Sequence, residues 1–109
     1  MSDYTVRLTR SALNDLRTIR AYVADRGSPE TADSLIQSLN VKIEALASFP
    51  LRGAVPKELE AFGVRRYRQI IVGPYRLLHR VIGQDVFVSL VADGRRDMQR
   101  LLERRLLGR

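Results

Sequence analysis

The residues of this 109-residue chain that could do chemistry are mostly arginines, 17 of the 19 basic side chains. Arg66, Arg68, Arg76 and Arg80 fall in candidate strands, and Arg95, Arg96, Arg100 and Arg104 follow in the tail "DGRRDMQRLLERRLLGR" (93–109). A guanidinium offers a planar fork of donors that matches carboxylate and phosphate. It is a poor proton acceptor, because its pKa exceeds about 12. Such residues bind anions or stabilise developing negative charge; they do not shuttle protons.

Other catalytic material is sparse. His79 is the only histidine and sits on a strand pattern between Leu77 and Val81, the setting of a packed, hydrogen-bonded core residue. There is no cysteine, so disulfides and thiolate metal sites are excluded. No second histidine and no carboxylate cluster has metal-ligand spacing, so neither a metal nor any small-molecule cofactor is expected. Gly53, Gly73, Gly83 and Gly94 are isolated and form no phosphate-cradling loop. Ser11, Ser28 and Ser34 lack triad partners and read as caps or surface residues.

Charge is unevenly spread. Residues 1–64 carry eight basic and eight acidic side chains, whereas residues 65–109 carry eleven arginines against four acids, so the net charge of +7 lies entirely in the second part. A localised positive field of this kind suits nucleic acid, a ribosome or an acidic protein. The start "MSDYTVRLTR" has no signal-peptide pattern and no segment has the apolar length of a membrane span. The expectation is a soluble cytoplasmic protein forming one domain over residues 1–109, with no membrane contact.

The elements that must position these arginines follow from periodicity. Tyr4, Val6 and Leu8 alternate as in a short strand, and Thr9 or Ser11 can cap a helix whose inner face is Ala12, Leu16, Ile19 and Val23. Gly27 ends it. "SPET" (28–31) restarts at once, with Ser28 as N-cap and Pro29 in the first helical position. Ala32, Leu35, Ile36, Leu39, Ile43 and Leu46 form the second stripe, which Phe49-Pro50 stops. Residues 50–64 read as loop. Strands are expected over 64–72, 75–82 and 85–92, joined at Gly73-Pro74 and Gly83-Gln84 as hairpins, and a helix or tail over 96–107.

The order β–α–α–β–β–β gives an α+β fold, with an N-terminal helical hairpin on one face of a small, mostly antiparallel sheet and a C-terminal helix or tail. The first strand should pair with a later one. Alternation places Arg66 and Arg68 with Ile70 and Val72, and Arg76 and Arg80 with Leu78 and Ile82. If the sheet's second face is open to water, Arg68, Arg76 and Arg80 would gather there as a concave site. In the tail, Arg96, Arg100 and Arg104 recur every fourth residue, a like-charged stripe that does not help a helix form.

Three stretches carry a family resemblance: "SPETADSLIQSLNVKIEALASFPLRG" (28–53), "RRYRQIIVGPYRLLHRV" (65–81) and "VFVSLVADGRRD" (86–97). Over almost its whole length the chain resembles the RelE/ParE superfamily of bacterial toxins from type II toxin–antitoxin modules, and its helical part resembles the ParE-like branch. The "GRRD" turn departs from that branch, in which a histidine commonly precedes it; here Ala92-Asp93 stand there.

The superfamily holds two mechanisms. Resemblance to RelE implies a ribosome-dependent messenger-RNA endoribonuclease, with Arg68, Arg76 and Arg96 stabilising the transition state and the base supplied by His79, Tyr67 or the ribosome. Cleavage through a 2′-hydroxyl needs proton transfer as well as charge stabilisation. Residues 98–109, where RelE-like nucleases offer a tyrosine, contain none. Resemblance to ParE implies instead a toxin that inhibits DNA gyrase and blocks replication by binding, without catalysis. Under either mechanism the resemblance implies a hetero-oligomer with a cognate antitoxin, ParD-like on the favoured reading. Its acidic, amphipathic C-terminal segment would lie in apolar grooves near the helical hairpin and pair with arginines. The surface expected to grip target or antitoxin comprises Arg66, Arg68, Arg76, Arg80, Arg95, Arg96, Arg100 and Arg104.

Overall fold

The computed structural model describes residues 3–109. Two amphipathic helices, α1 (Arg10–Arg26) and α2 (Pro29–Ala45), follow strand β1 (Thr5–Leu8). Their boundaries are set by local chemistry. The Thr9 side chain accepts from the Ala12 amide, and the Ser28 side chain accepts from the Thr31 amide, with Pro29 opening α2. The short helix α3 (Lys57–Glu60) comes next, then β2 (Arg68–Val72), β3 (Tyr75–Ile82), β4 (Asp85–Asp93) and the closing helix α4 (Met98–Leu106).

The four strands form one sheet in the order β1-β4-β3-β2. β1 runs parallel to β4, while β2–β3 and β3–β4 are antiparallel hairpins. Both hairpin turns start on a glycine of positive φ, Gly73 at 58° and Gly83 at 61°, followed by a residue of negative φ. That pattern matches the right-handed twist of the flanking strands.

One core lies between the helical hairpin and the sheet, built from Ala12 and Leu16 of α1, Leu39, Ile43 and Leu46, and Leu77, Val86, Val88 and Val91. The other face is not open, as the sequence reading supposed. Leu59 of α3, Tyr67, Leu78, Leu90 and Ala92 pack there with Met98, Leu101 and Leu102 of α4 to make a second core. An irregularity in β4 makes this possible. Leu78 pairs with Leu90 but His79 pairs with Val88, so Ser89 is an extra residue. The bulge shifts the alternation by one: Val86 and Val88 face the helical hairpin, while Leu90 and Ala92 face α4.

Two segment assignments also change. Residues 64–67 lie outside the sheet, and β2 begins only at Arg68. Val64 and Tyr67 are drawn into the second core instead. Within the expected loop, Pro56 precedes the single turn of α3, which buries Leu59.

Candidate functional site

The strand arginines divide between the two faces of the sheet. In the β2–β3 register Arg68 lies opposite His79, whereas Arg76 lies opposite Ile71. Directly opposed residues share a face, so Arg68 belongs to the face that carries Ile70 and Leu77, and Arg76 and Arg80 to the other. The concave trio of Arg68, Arg76 and Arg80 does not form. Arg68 donates to the Gly53 carbonyl at 3.0 Å and helps hold the 50–56 segment.

Arg76 is the most fully engaged of the set. Its Nη atoms donate to both carboxylate oxygens of Glu58 at 2.8 and 2.9 Å, and its Nε donates to Gln69 Oε1 at 2.6 Å. The two side chains are only 12% and 10% exposed. The guanidinium hydrogen bond holds the Glu58 carboxyl below its ordinary pKa, against the opposing effect of burial. Gly94 makes room for this pair: a Cβ there would come within 3.1 Å of the Arg76 stem and 3.3 Å of the Pro74 carbonyl. The expected open, target-facing position of Arg76 is thus replaced by a bidentate bond between β3 and α3.

Arg66 and Arg80 converge on Tyr67, their guanidinium carbons 5.3 and 5.5 Å from the ring centroid. Arg66 is exposed and Arg80 half-buried. The two proton-transfer candidates are inaccessible, His79 at 1% exposure and Tyr67 at 6%. His79 Nε2 donates to the Arg52 carbonyl at 2.8 Å, and Nδ1 is buried without a partner. Burial pushes the His79 pKa down, so the ring is held neutral, anchoring the loop after α2.

At the end of β4 the "GRRD" turn closes on itself. Asp93 accepts from the Arg95 backbone amide at 2.9 Å and from its guanidinium at 2.6 and 3.0 Å, which brings the Asp93 pKa down to about 2. Asp97 caps α4 by accepting from the Arg100 amide at 3.1 Å. Beside this turn a cleft of about 420 Å³ runs along α1, with Ile19, Tyr22, Tyr75 and Val91 in its walls and Arg95 and Arg96 at its rim. Tyr22 is 57% exposed, and burial is the main cause raising the Tyr75 phenol above its usual pKa.

The tail arginines sort into two groups. Arg105, which the sequence reading did not single out, forms a bidentate pair with Asp15 of α1 at 2.9 and 3.0 Å and donates to the Ser89 carbonyl in the bulge. Asp15 also accepts from the Val91 amide at 3.1 Å. Arg96, Arg100 and Arg104 are exposed, and among the described residues none has a carboxylate partner. No group of three or more His, Cys, Asp or Glu side chains is arranged to hold a metal ion among the described residues. Among the described residues, no helix is long and apolar enough to cross a membrane.

Two cores either side of a bulged, mostly antiparallel sheet, with arginines around the "GRRD" turn, define a RelE/ParE-type toxin fold. It is shared with the chromosomal ParDE toxin–antitoxin system from P. aeruginosa at a TM-score of 0.71 and 20% identity, covering 84% of this chain and 96% of that one. The E. coli toxin RelE, solved free as a double arginine-to-alanine mutant, is similar at a TM-score of 0.60 and 22% identity, with 93% of each chain covered. The RelBE2 toxin–antitoxin complex from Mycobacterium tuberculosis is similar at 0.56 and 25% identity, covering 85% of this chain and 93% of that one. No curated protein matches the sequence significantly. Residues 6–98 match the family described as the ParE toxin of type II toxin–antitoxin systems, parDE. The chain belongs to the ParE toxin family, and is the toxin of a type II toxin–antitoxin system.

Proposed function

We propose that this toxin acts by binding DNA gyrase and blocking replication, without cutting RNA. The engagement of Arg76 carries this reading: its paired Nη donors face Glu58 and its Nε donates to Gln69, so three of its five N–H groups are taken and it presents no free fork to clamp a scissile phosphate. The other parts of a nuclease site are dispersed. Arg68 is on the opposite face from Arg76, and the phenol and imidazole that could move protons are buried. Arginine alone stabilises charge but cannot deprotonate a 2′-hydroxyl at neutral pH.

The partner that restrains the toxin is an antitoxin with an acidic, amphipathic segment. The cleft along α1 suits such a segment, because Ile19, Tyr22, Tyr75 and Val91 offer it apolar contact and Arg96 at the rim offers a cation. The two carboxylates that line it, Asp15 and Asp93, are already paired with Arg105 and Arg95. The test is a pair of assays on the purified toxin. Gyrase with relaxed plasmid and ATP should lose supercoiling activity as toxin is added, and translating ribosomes with an end-labelled message should leave the message intact. Message cleavage with supercoiling unaffected would reverse the assignment in favour of a ribosome-dependent nuclease.

A further inference from the structure

We propose that the outer face of α4, with the turn before it, is a contact for the phosphate backbone of duplex DNA, made through Arg96, Arg100 and Arg104. The inference rests on the gyrase reading only in its choice of DNA, since gyrase presents a duplex to whatever binds beside it.

Every other arginine from residue 95 onward has an internal role or partner: Arg95 is bonded to Asp93, Arg105 to Asp15, and Arg109 lies over the Phe62 ring. Among the described residues Arg96, Arg100 and Arg104 have no such side-chain partner, and they are exposed. Helix stability accounts for Arg104, which lies in the last turn where the dipole favours a cation, but not for Arg96 and Arg100. Arg100 occupies the first turn of α4 and Arg96 immediately precedes its N-cap, the end where the helix dipole disfavours positive charge. Arg100 and Arg104, four residues apart, also repel one another. These costs point to an external anion.

The surroundings favour phosphate over a peptide or a single strand. None of the exposed large hydrophobic side chains lies on α4 or in the turn before it. An acidic protein segment lying along α4 would therefore find no apolar anchor beside Arg100 and Arg104, unlike one seated in the α1 cleft that Arg96 borders. Residues 96–107 also contain no aromatic side chain on which unpaired bases could stack. What α4 offers is Arg100 and Arg104 about 6 Å apart along its axis, the length of four helical residues, with Arg96 in the turn before it. A duplex presents one charge per roughly 1.7 Å of its axis, so each arginine can reach a phosphate without sequence preference.

The test is fluorescence anisotropy of the free full-length toxin with a labelled 20-base-pair duplex of arbitrary sequence, from 50 to 200 mM salt. Three phosphate contacts give a log–log salt slope of about −2.7, a loss of roughly 40-fold in affinity across that range. The triple variant R96Q/R100Q/R104Q should lose about that much slope, whereas R10Q/R17Q, two exposed arginines of α1, should keep it. Should the triple variant not fold, R100Q alone should lower the slope by about 0.9. A wild-type slope unchanged by these substitutions would overturn the proposal. So would tighter binding to single-stranded RNA or to a glutamate-rich peptide than to the duplex. Duplex binding without gyrase inhibition would remove the gyrase reading and leave this contact standing; gyrase inhibition with no arginine-dependent slope would do the reverse.

Discussion

Replacing Glu58 by alanine should be among the most damaging single changes outside the apolar cores. It leaves the Arg76 charge, 12% exposed, without its carboxylate while the Gln69 bond at 2.6 Å remains. Breaking one side of a buried ion pair costs about 3–5 kcal/mol. With one hydrogen bond retained, the lower end applies, about 3 kcal/mol. In a domain of this size that lowers Tm by roughly 12 °C. Equilibrium unfolding in guanidinium chloride would measure it. The double variant Glu58→Leu with Arg76→Met removes both charges and keeps apolar bulk between β3 and α3, so it should return to within about 1 kcal/mol of the parent. Because Arg76 is structural in this account, the double variant should also still arrest growth when induced. A Glu58→Ala loss under about 1 kcal/mol, or a double variant that folds yet is harmless, would refute the reasoning. The pair also has an acid signature. Arg76 depresses the Glu58 pKa, so its stabilisation is complete above the unfolded carboxylate value near 4.3 and is lost as pH falls through the lower folded value.

Two further predictions concern the loop anchor and the bulge. Burial lowers the His79 pKa, so the folded protein resists a proton that the unfolded chain accepts near pH 6.5. Stability should therefore be full above about pH 7 and decline as pH drops through that unfolded value; unfolding midpoints at pH 7.5, 6 and 5 should show the decline in the parent and a flatter profile in His79→Gln. Asp15→Ala removes the acceptor of the Val91 amide and the partner of Arg105. It should cost about 2 kcal/mol in chemical denaturation and speed hydrogen exchange at the Val91 amide.

The elements were largely legible because their signals are local. The helical hairpin follows from two apolar stripes, a threonine or serine cap before each, and Pro29 in the first helical position. The β2–β3–β4 meander follows from alternating strands separated by Gly73-Pro74 and Gly83-Gln84. Less legible was α3, one turn in a segment rich in proline and glycine; the proline before "KELE" (57–60), with Leu59 as its apolar residue, was the available signal. The bulge had a weaker trace, a lone serine in "DVFVSLVAD" (85–93). That run is apolar on both sides of Ser89, so it does not reveal a change of phase.

By itself the sequence determined the order of the strands and of every helix but α3, the α+β class, the absence of thiol chemistry, and a positive field confined to residues 65–109. Tertiary structure alone decided which arginines remain available within that field. Glu58 meets Arg76 across 18 residues and Asp15 meets Arg105 across 90, while Arg96, Arg100 and Arg104 meet no carboxylate among the described residues. The reason is physical: periodicity reports which side of its own segment a residue occupies. Strand register, and the helix laid over a face, decide whether that side is water, an apolar core or a waiting counter-charge.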